Sequence, residues 1–224
     1  MLISHRKRFI YTKTVKTAGT SVESYFEKYC MPEGSWEFTR ARAAYIGDCG
    51  IIGHRGSPPP EGCDWFNHMS AESIRARAGE AVWNSYFKFC VIRNPFEKVV
   101  SAFYFFESPG THEGASPPAI AMVDRFRSWV AAGNAQRCFD RDKYLIDGAL
   151  CLDFLIRYES IEAGLSEVCH RLQIPFDISE VPRLKASNRD RKIKIAEFYG
   201  ADTIDIVRKL FAFELHTFAY DMPS

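Results

Sequence analysis

Two groups of residues in this sequence have side chains and spacing suited to chemistry. The first is Lys16-Thr17-Ala18-Gly19-Thr20-Ser21. At the start of a helix such a turn offers backbone N–H groups to an anion, and Gly19 lets the backbone come close to it. Thr17, Thr20 and Ser21 add hydroxyl donors, and Lys16 adds a mobile positive charge at the mouth of the turn. Recognition of a phosphate or sulfate is the chemistry these groups support. The spacing is not that of a Walker A loop, which needs Lys directly after its second Gly, whereas Thr20 follows Gly19 here. Taken alone, the same residues equally make a polar turn that caps a helix. The second group is Arg93 with Ser101, eight residues later. A helix starting at Pro95 rises about 9 Å to Ser101, which an Arg side chain can cover, so guanidinium and hydroxyl can grip one phosphate. The alternative is an Arg paired with a nearby carboxylate and a solvated Ser.

These residues need strand ends and helix starts to position them. Phe9 to Thr12 is short, aromatic and β-branched, as suits a buried strand. Val22, Tyr25, Phe26 and Tyr29 fall at i, i+3, i+4 and i+7, one apolar stripe on a helix beginning near Thr20 or Ser21. Gly50-Ile51-Ile52-Gly53 is an apolar run that ends in His54, and Pro58-Pro59-Pro60 closes the loop after it. Asn67 to Ala78 reads as a helix with a polar start at Asn67 or Ser70 and a stop at Gly79. Tyr86 to Ile92 is the clearest strand, and Asn94 as N-cap with Pro95 at the first helical position starts the next helix. Pro95, Val99, Ala102, Phe103 and Phe106 mark its buried side. Glu107 to Pro118 reads as a long loop, and Ile120 to Ala132 as a helix.

Leu152 to Tyr158 is a third strand, followed by a helix carrying Ile161, Leu165, Val168, Cys169 and Leu172. Pro175 to Asp190 is loop-rich and contains the polar cluster Lys185-Ala186-Ser187-Asn188-Arg189. A last helix has Asp202 as its expected N-cap and Ile204, Val207 and Phe211 facing inward. Strands alternating with helices predict an α/β fold, a central parallel sheet with helices on both faces and ligands at the carboxyl ends of the strands.

Composition narrows the function classes. A chain of 224 residues makes a single domain, 1–224, with an ample core. Twenty-nine Lys and Arg against 28 Asp and Glu leave no basic excess for a general nucleic-acid binder, so an anion site must be local. MLISHRKRF is too polar to begin a signal peptide, and no run of about 18 apolar residues spans a bilayer, which predicts a cytoplasmic protein. Seven cysteines without a C-x-x-C pair predict reduced thiols and no zinc site, and no carboxylate cluster offers to hold another metal.

Both motifs in one chain resemble a known family. KTAGTS after the first strand is similar to the 5'-phosphosulfate loop of sulfotransferases that use 3'-phosphoadenosine 5'-phosphosulfate (PAPS), and RNPFEKVVS resembles their 3'-phosphate motif. The likeness is closest to the carbohydrate branch that includes heparan sulfate 2-O-sulfotransferase and bacterial relatives. It runs on through Tyr86-Phe87-Lys88-Phe89 and Asp153 to Glu159, with Val15, Lys98 and Phe103 departing from the common residues at their positions. The resemblance implies the three-layer α/β/α fold of these enzymes, which is akin to that of P-loop nucleotide kinases. It implies that Lys16 to Ser21 hold the 5'-phosphosulfate, that Arg93 and Ser101 hold the 3'-phosphate, and that Lys185 and Ser187 lie near the nucleotide. Gly53-His54 looks like the position of the catalytic base; an imidazole with a pKa near 6.5 suits removal of a proton from an attacking hydroxyl. His68 is the rival base. The reaction implied is in-line sulfuryl transfer to an acceptor hydroxyl, a saccharide first, with Lys16 neutralising charge on the departing phosphate of PAP and no metal needed. An ATP-dependent small-molecule kinase and a non-catalytic module for a nucleotide or sulfated glycan are the competing readings.

Overall fold

The computed structural model describes residues 1–56, 58–107, 119–182, 184 and 193–223. Two compact units emerge, Met1–Ile92 with Asp140–Leu184, and Arg93–Phe139 with Lys185–Ser224. In chain order the elements begin with β1 (Leu2–Ser4), β2 (Phe9–Tyr11), α1 (Gly19–Glu27), β3 (Tyr45–Gly47), β4 (Gly50–Ile52), α2 (Ala71–Ala78), α3 (Glu80–Ser85) and β5 (Phe87–Ile92). They continue with α4 (Pro95–Phe106), α5 (Ala119–Ala131), β6 (Leu145–Ile146), β7 (Ala149–Leu150), β8 (Phe154–Arg157), α6 (Ile161–Arg171), α7 (Ile195–Phe198), α8 (Ala201–Leu210) and α9 (Ala212–Thr217).

The first unit is built on a six-stranded sheet in the order β3-β4-β1-β2-β5-β8. Strand residues alternate between its faces, as a period of two requires. Phe9 and Tyr11 of β2 with Phe89 and Val91 of β5 meet α1 and α6 through Val22, Tyr25, Phe26, Leu165 and Val168. Ile3, Ile10 and Ile51 point the other way and meet Ile74 of α2 and Trp83 of α3. The sheet is thus covered on both faces, and the α/β class holds.

The sheet is mixed rather than wholly parallel. β2, β5 and β8 run parallel, while β1 is antiparallel to both β2 and β4, and β3 to β4. Connection length explains this, because a parallel neighbour needs a crossover of roughly a dozen residues, whereas residues 5–8 between β1 and β2 permit only a hairpin. The charged residues of MLISHRKRF sit in that hairpin turn, and Leu2 and Ile3 are wholly buried beside it.

Helix starts follow local chemistry closely. Asn94 Oδ1 accepts a bond from Phe96 N at 3.0 Å with Pro95 first in α4, and Ser70 caps α2 by accepting from Ser73 N at 3.1 Å. Asp202 is not the N-cap of the late helix. Gly200 holds that place, its N–H bonded to Thr203 Oγ1 at 2.9 Å, and Asp202 falls in the first turn of α8.

The second unit is helical. Phe96, Val99 and Phe103 of α4 pack with Phe126 and Trp129 of α5 and with Val207 and Phe211 of the C-terminal helices. Edge-on ring contacts order this core, Phe103 on Phe126 at 5.4 Å and Phe126 on Tyr199 at 4.9 Å between centroids.

Phe89 is wholly buried in the middle of the sheet, 5.2 Å from the Phe26 ring and 5.2 Å from that of Tyr11. Truncation there leaves a cavity between sheet and α1, so Phe89→Ala should lower the unfolding free energy by about 3–5 kcal/mol, read by urea titration. A loss below about 1 kcal/mol would show that this aromatic layer is not the core of the unit.

Candidate functional site

The parallel ladder between β2 and β5 continues past Tyr11, with Thr12 N donating to Phe89 O at 3.1 Å. The chain then turns. Thr14 Oγ1 donates to Val91 O and lies 2.7 Å from Thr17 Oγ1. Since Thr14 has one hydroxyl proton and gives it to Val91, the proton between the two threonines comes from Thr17. Val15 N donates to Asp140 Oδ2 at 2.7 Å. Between these ties Lys16 and Ala18 both adopt the left-handed conformation, φ +58° and +57°, which costs an L residue roughly 1–2 kcal/mol each. Such strain persists only where the surroundings hold it.

Helix α1 opens directly from this turn. Its first bonded amides are Ser21 and Val22, both on Ala18 O at 2.9 and 3.1 Å, so the Gly19 and Thr20 amides stand at the open helix end. Ser21 Oγ accepts from Leu184 N at 3.2 Å and keeps its own proton to donate. Thr17 is wholly buried and its hydroxyl serves the turn itself. The bonds of the turn thus leave the Gly19 and Thr20 amides and the Ser21 hydroxyl proton at the helix end. Gly19 has a further reason to be glycine. A Cβ there would lie 2.9 Å from Lys13 Cγ and 3.1 Å from Lys13 Cε, so the turn rests on the Lys13 stem.

Beneath the turn lies a cluster of buried charges. Lys13 is 3% exposed and Glu23 not at all, and Lys13 Nζ meets Glu23 Oε2 at 2.6 Å. Glu23 also takes Arg55 Nη1 at 3.0 Å and the Met1 amino group at 2.8 Å. Glu27, one turn on, pairs with Arg55 and with Arg42 Nε at 3.2 Å. Burial pushes the Glu23 carboxyl upward, but the Met1 amino group and Lys13 outweigh it and hold the pKa at about 2.

The two histidines lie on neighbouring segments of the same unit. His54 N donates to Trp65 O at 2.8 Å and His54 O accepts from Asn67 N at 2.9 Å, which sets residue 54 beside the start of the Asn67-His68 segment. The His54 ring lies over Gly56, where a Cβ would come within 2.7 Å of Nε2. His68, itself at φ +60°, has Nδ1 2.9 Å from Lys13 O. The residue as a whole is exposed, but desolvation of its ring, then the charges of Lys13 and the Met1 amino group, push its pKa down to about 4. His68 is therefore neutral at pH 7 and tied to the floor of the turn.

Arg93 and Ser101 belong to the helical unit. Arg93 Nη2 meets Glu97 Oε2 at 3.0 Å, an i,i+4 ion pair at the start of α4, and Ser101 is half-buried about two turns along. Lys185 and Ser187 lie outside the described residues, as does most of the 107–118 loop. Among the described residues no group of three or more His, Cys, Asp or Glu could hold a metal, and no helix is long and apolar enough to cross a membrane. None of the seven cysteines is in a disulfide.

Lys13, Thr14, Glu23, Arg55 and Asp140 shape the turn and were not singled out by the sequence. Glu23 gave one signal, an ionisable residue next to the apolar stripe of Val22, Tyr25 and Phe26. Asp140 gave none, since 125 positions separate it from the Val15 amide it accepts.

His68 binds its proton near pH 6.5 in the unfolded chain but only near 4 when folded, so the unfolded state gains protons first as pH falls. Stability should decline modestly from pH 6.5 to 4, by about 1 kcal/mol or less from this exposed and solvent-screened residue, with Glu23 adding to the loss only below about 4.5. Denaturant titrations of wild type and His68→Gln across this range check it: the variant's stability should be flatter between pH 6.5 and 4. Parallel curves would assign the acid sensitivity elsewhere.

An uncharacterized protein of Archaeoglobus fulgidus is similar, 26% identical over 128 residues, which cover 56% of this chain and 99% of that one. A family model described as "Sulfotransferase family" matches residues 1–221, nearly the whole chain, and includes the helix-opening turn, both histidines and the Arg93 to Ser101 segment. The chain belongs to the sulfotransferase family.

Proposed function

We propose that this sulfotransferase takes the sulfuryl group from PAPS and passes it in line to a hydroxyl of a saccharide, as in the heparan sulfate 2-O-sulfotransferase branch. The observation that carries the reading is the turn at the start of α1, where left-handed Lys16 and Ala18 bring the Gly19 and Thr20 amides and the Ser21 hydroxyl to one helix end. This donor set is neutral apart from Lys16 and is fixed before any ligand arrives. It fits a phosphosulfate group.

Each residue has a separate task in this reading. The helix-end amides hold the 5'-phosphosulfate, and Lys16 meets the charge that grows on the bridging oxygen as sulfur departs. Arg93 and Ser101 take the 3'-phosphate, for which the Arg93 guanidinium exchanges part of its contact with Glu97. His54 removes the acceptor's proton as the new bond to sulfur forms, because its ring stands beside a loop rather than under the turn. His68 is the poorer acceptor, since a base works best with a pKa near the working pH, and desolvation of the ring with the charges of Lys13 and the Met1 amino group holds this one at about 4. The saccharide rests on the resemblance of both motifs to the carbohydrate branch. Seven cysteines outside any disulfide fit a cytoplasmic setting.

Calorimetric titration with PAP, AMP and magnesium-ATP tests the donor. PAP should bind at least about tenfold more tightly than AMP, and Arg93→Ala should erase most of that preference, since a charge-assisted hydrogen bond contributes about 1.5–3 kcal/mol. Equal affinities for PAP and AMP in the wild type, or preferential binding of magnesium-ATP, would end the PAPS reading.

His54→Ala should keep the fold and PAP affinity while turnover falls about a hundredfold or more, the scale of a general base. His68→Ala, measured alongside, should lose stability more than turnover. The reverse pattern, transfer abolished by His68→Ala in a folded protein and intact in His54→Ala, would move the base to residue 68.

A further inference from the structure

Lys13 and Glu23 form an ion pair at 2.6 Å with almost no exposure on either side. Burying two ions strips both of water, and an apolar pair of similar volume is often as stable or more so. Stability is therefore a weak reason for charges at this place. An ion pair supplies direction, which an apolar contact does not.

Three contacts of Lys13 use that direction. Its Nζ fastens the end of β2 to Glu23, one turn beyond Gly19 in α1. Its stem, through Cγ and Cε, is the floor on which Gly19 rests. Its carbonyl oxygen lies 2.9 Å from His68 Nδ1. A carbonyl only accepts, so Nδ1 of the neutral ring carries the proton and Nε2 keeps the lone pair. Glu23 is in turn steadied by Arg55 at 3.0 Å and the Met1 amino group at 2.8 Å, so it cannot swing to follow a displaced lysine.

We propose that Lys13, oriented by Glu23, is a positioning residue for sulfuryl transfer: one side chain and its own carbonyl set both the floor of the anion-binding turn and the tautomer of His68. It rests on the reading of Lys16 to Ser21 as the phosphosulfate loop. Lys13 touches no reacting atom in this scheme. Its effect passes through Gly19 to the helix-end amides, whose placement within a fraction of an ångström decides how well they meet the transferring group; misplacement by about 1 Å can cost a hundredfold in rate.

The test separates positioning from folding. Lys13→Met with Glu23→Leu removes both charges at nearly constant volume, and Glu23→Gln removes one while keeping shape and a hydrogen bond. The double variant leaves the Met1 amino group and part of Arg55 without Glu23, so its urea midpoint should fall; measured on the protein that remains folded, it should bind PAP at least about tenfold more weakly and turn over about a hundredfold more slowly. Glu23→Gln should shift PAP affinity and turnover in the same direction, and serves if the double variant does not fold. The carbonyl at position 13 survives in every variant, so nitrogen-15 shifts of His68 at pH 7 that change from the single Nδ1–H tautomer in the wild type to a mixture in the variants report its displacement from the ring, which the positioning role predicts. Variants with wild-type PAP affinity, turnover and tautomer would overturn the proposal. Failure of the underlying reading looks different, because the wild type itself would then not bind PAP.

Discussion

Glu23 has no exposed surface, and a carboxylate in such a place must be met by charge on the spot or give up its ionisation. It is met from three directions, by Lys13 at the end of β2, by Arg55 just after His54 and by the amino group next to β1. These partners come from the segments that surround the turn, so one buried charge sets the relation of strand, helix and histidine-bearing loop. Removing any one partner would leave the others poorly neutralised in a medium of low dielectric. The network is fixed as a whole.

On that base the turn holds a conformation that its residues would not choose. Two left-handed residues within three positions are strained, and the strain is contained by Thr14 on Val91, Val15 on Asp140 and Gly19 on the Lys13 stem. The result is a helix end whose first amides are presented without reorganisation, which is what an anion site requires. Thr17, a hydroxyl that the motif places near a ligand, is bonded to Thr14 within the turn.

The same separation of framework and function recurs at the histidines. His68 is held to the Lys13 carbonyl, with its pKa pushed down by desolvation of the ring and by neighbouring cations, and the His54 ring lies over Gly56. Two residues of one type, close along neighbouring segments, thus have different surroundings. In the helical unit, Arg93 carries its carboxylate partner Glu97 one turn along its own helix, so part of its charge is already satisfied before a ligand is considered.

Much of this protein was legible in the order of its residues. Strand and helix periodicity, the Asn94-Pro95 helix start, the Ser70 cap and the turn that opens the first helix depend on neighbours within a few positions, and such neighbours are printed side by side in a sequence. The antiparallel half of the sheet was not, because Leu2 and Ile3 are too short a signal against the charges that follow them. Nor was the role of Lys13, Glu23, Arg55 and Asp140 visible, since their meaning lies in contacts up to 125 positions apart. Local chemistry is written in spacing, and the sequence by itself determined the strand ends, the helix starts and the polar turn that joins β2 to α1. What holds that turn in shape, which histidine bonds the Lys13 carbonyl and which hydroxyl is spent on the fold were decided only when the tertiary structure brought distant residues together.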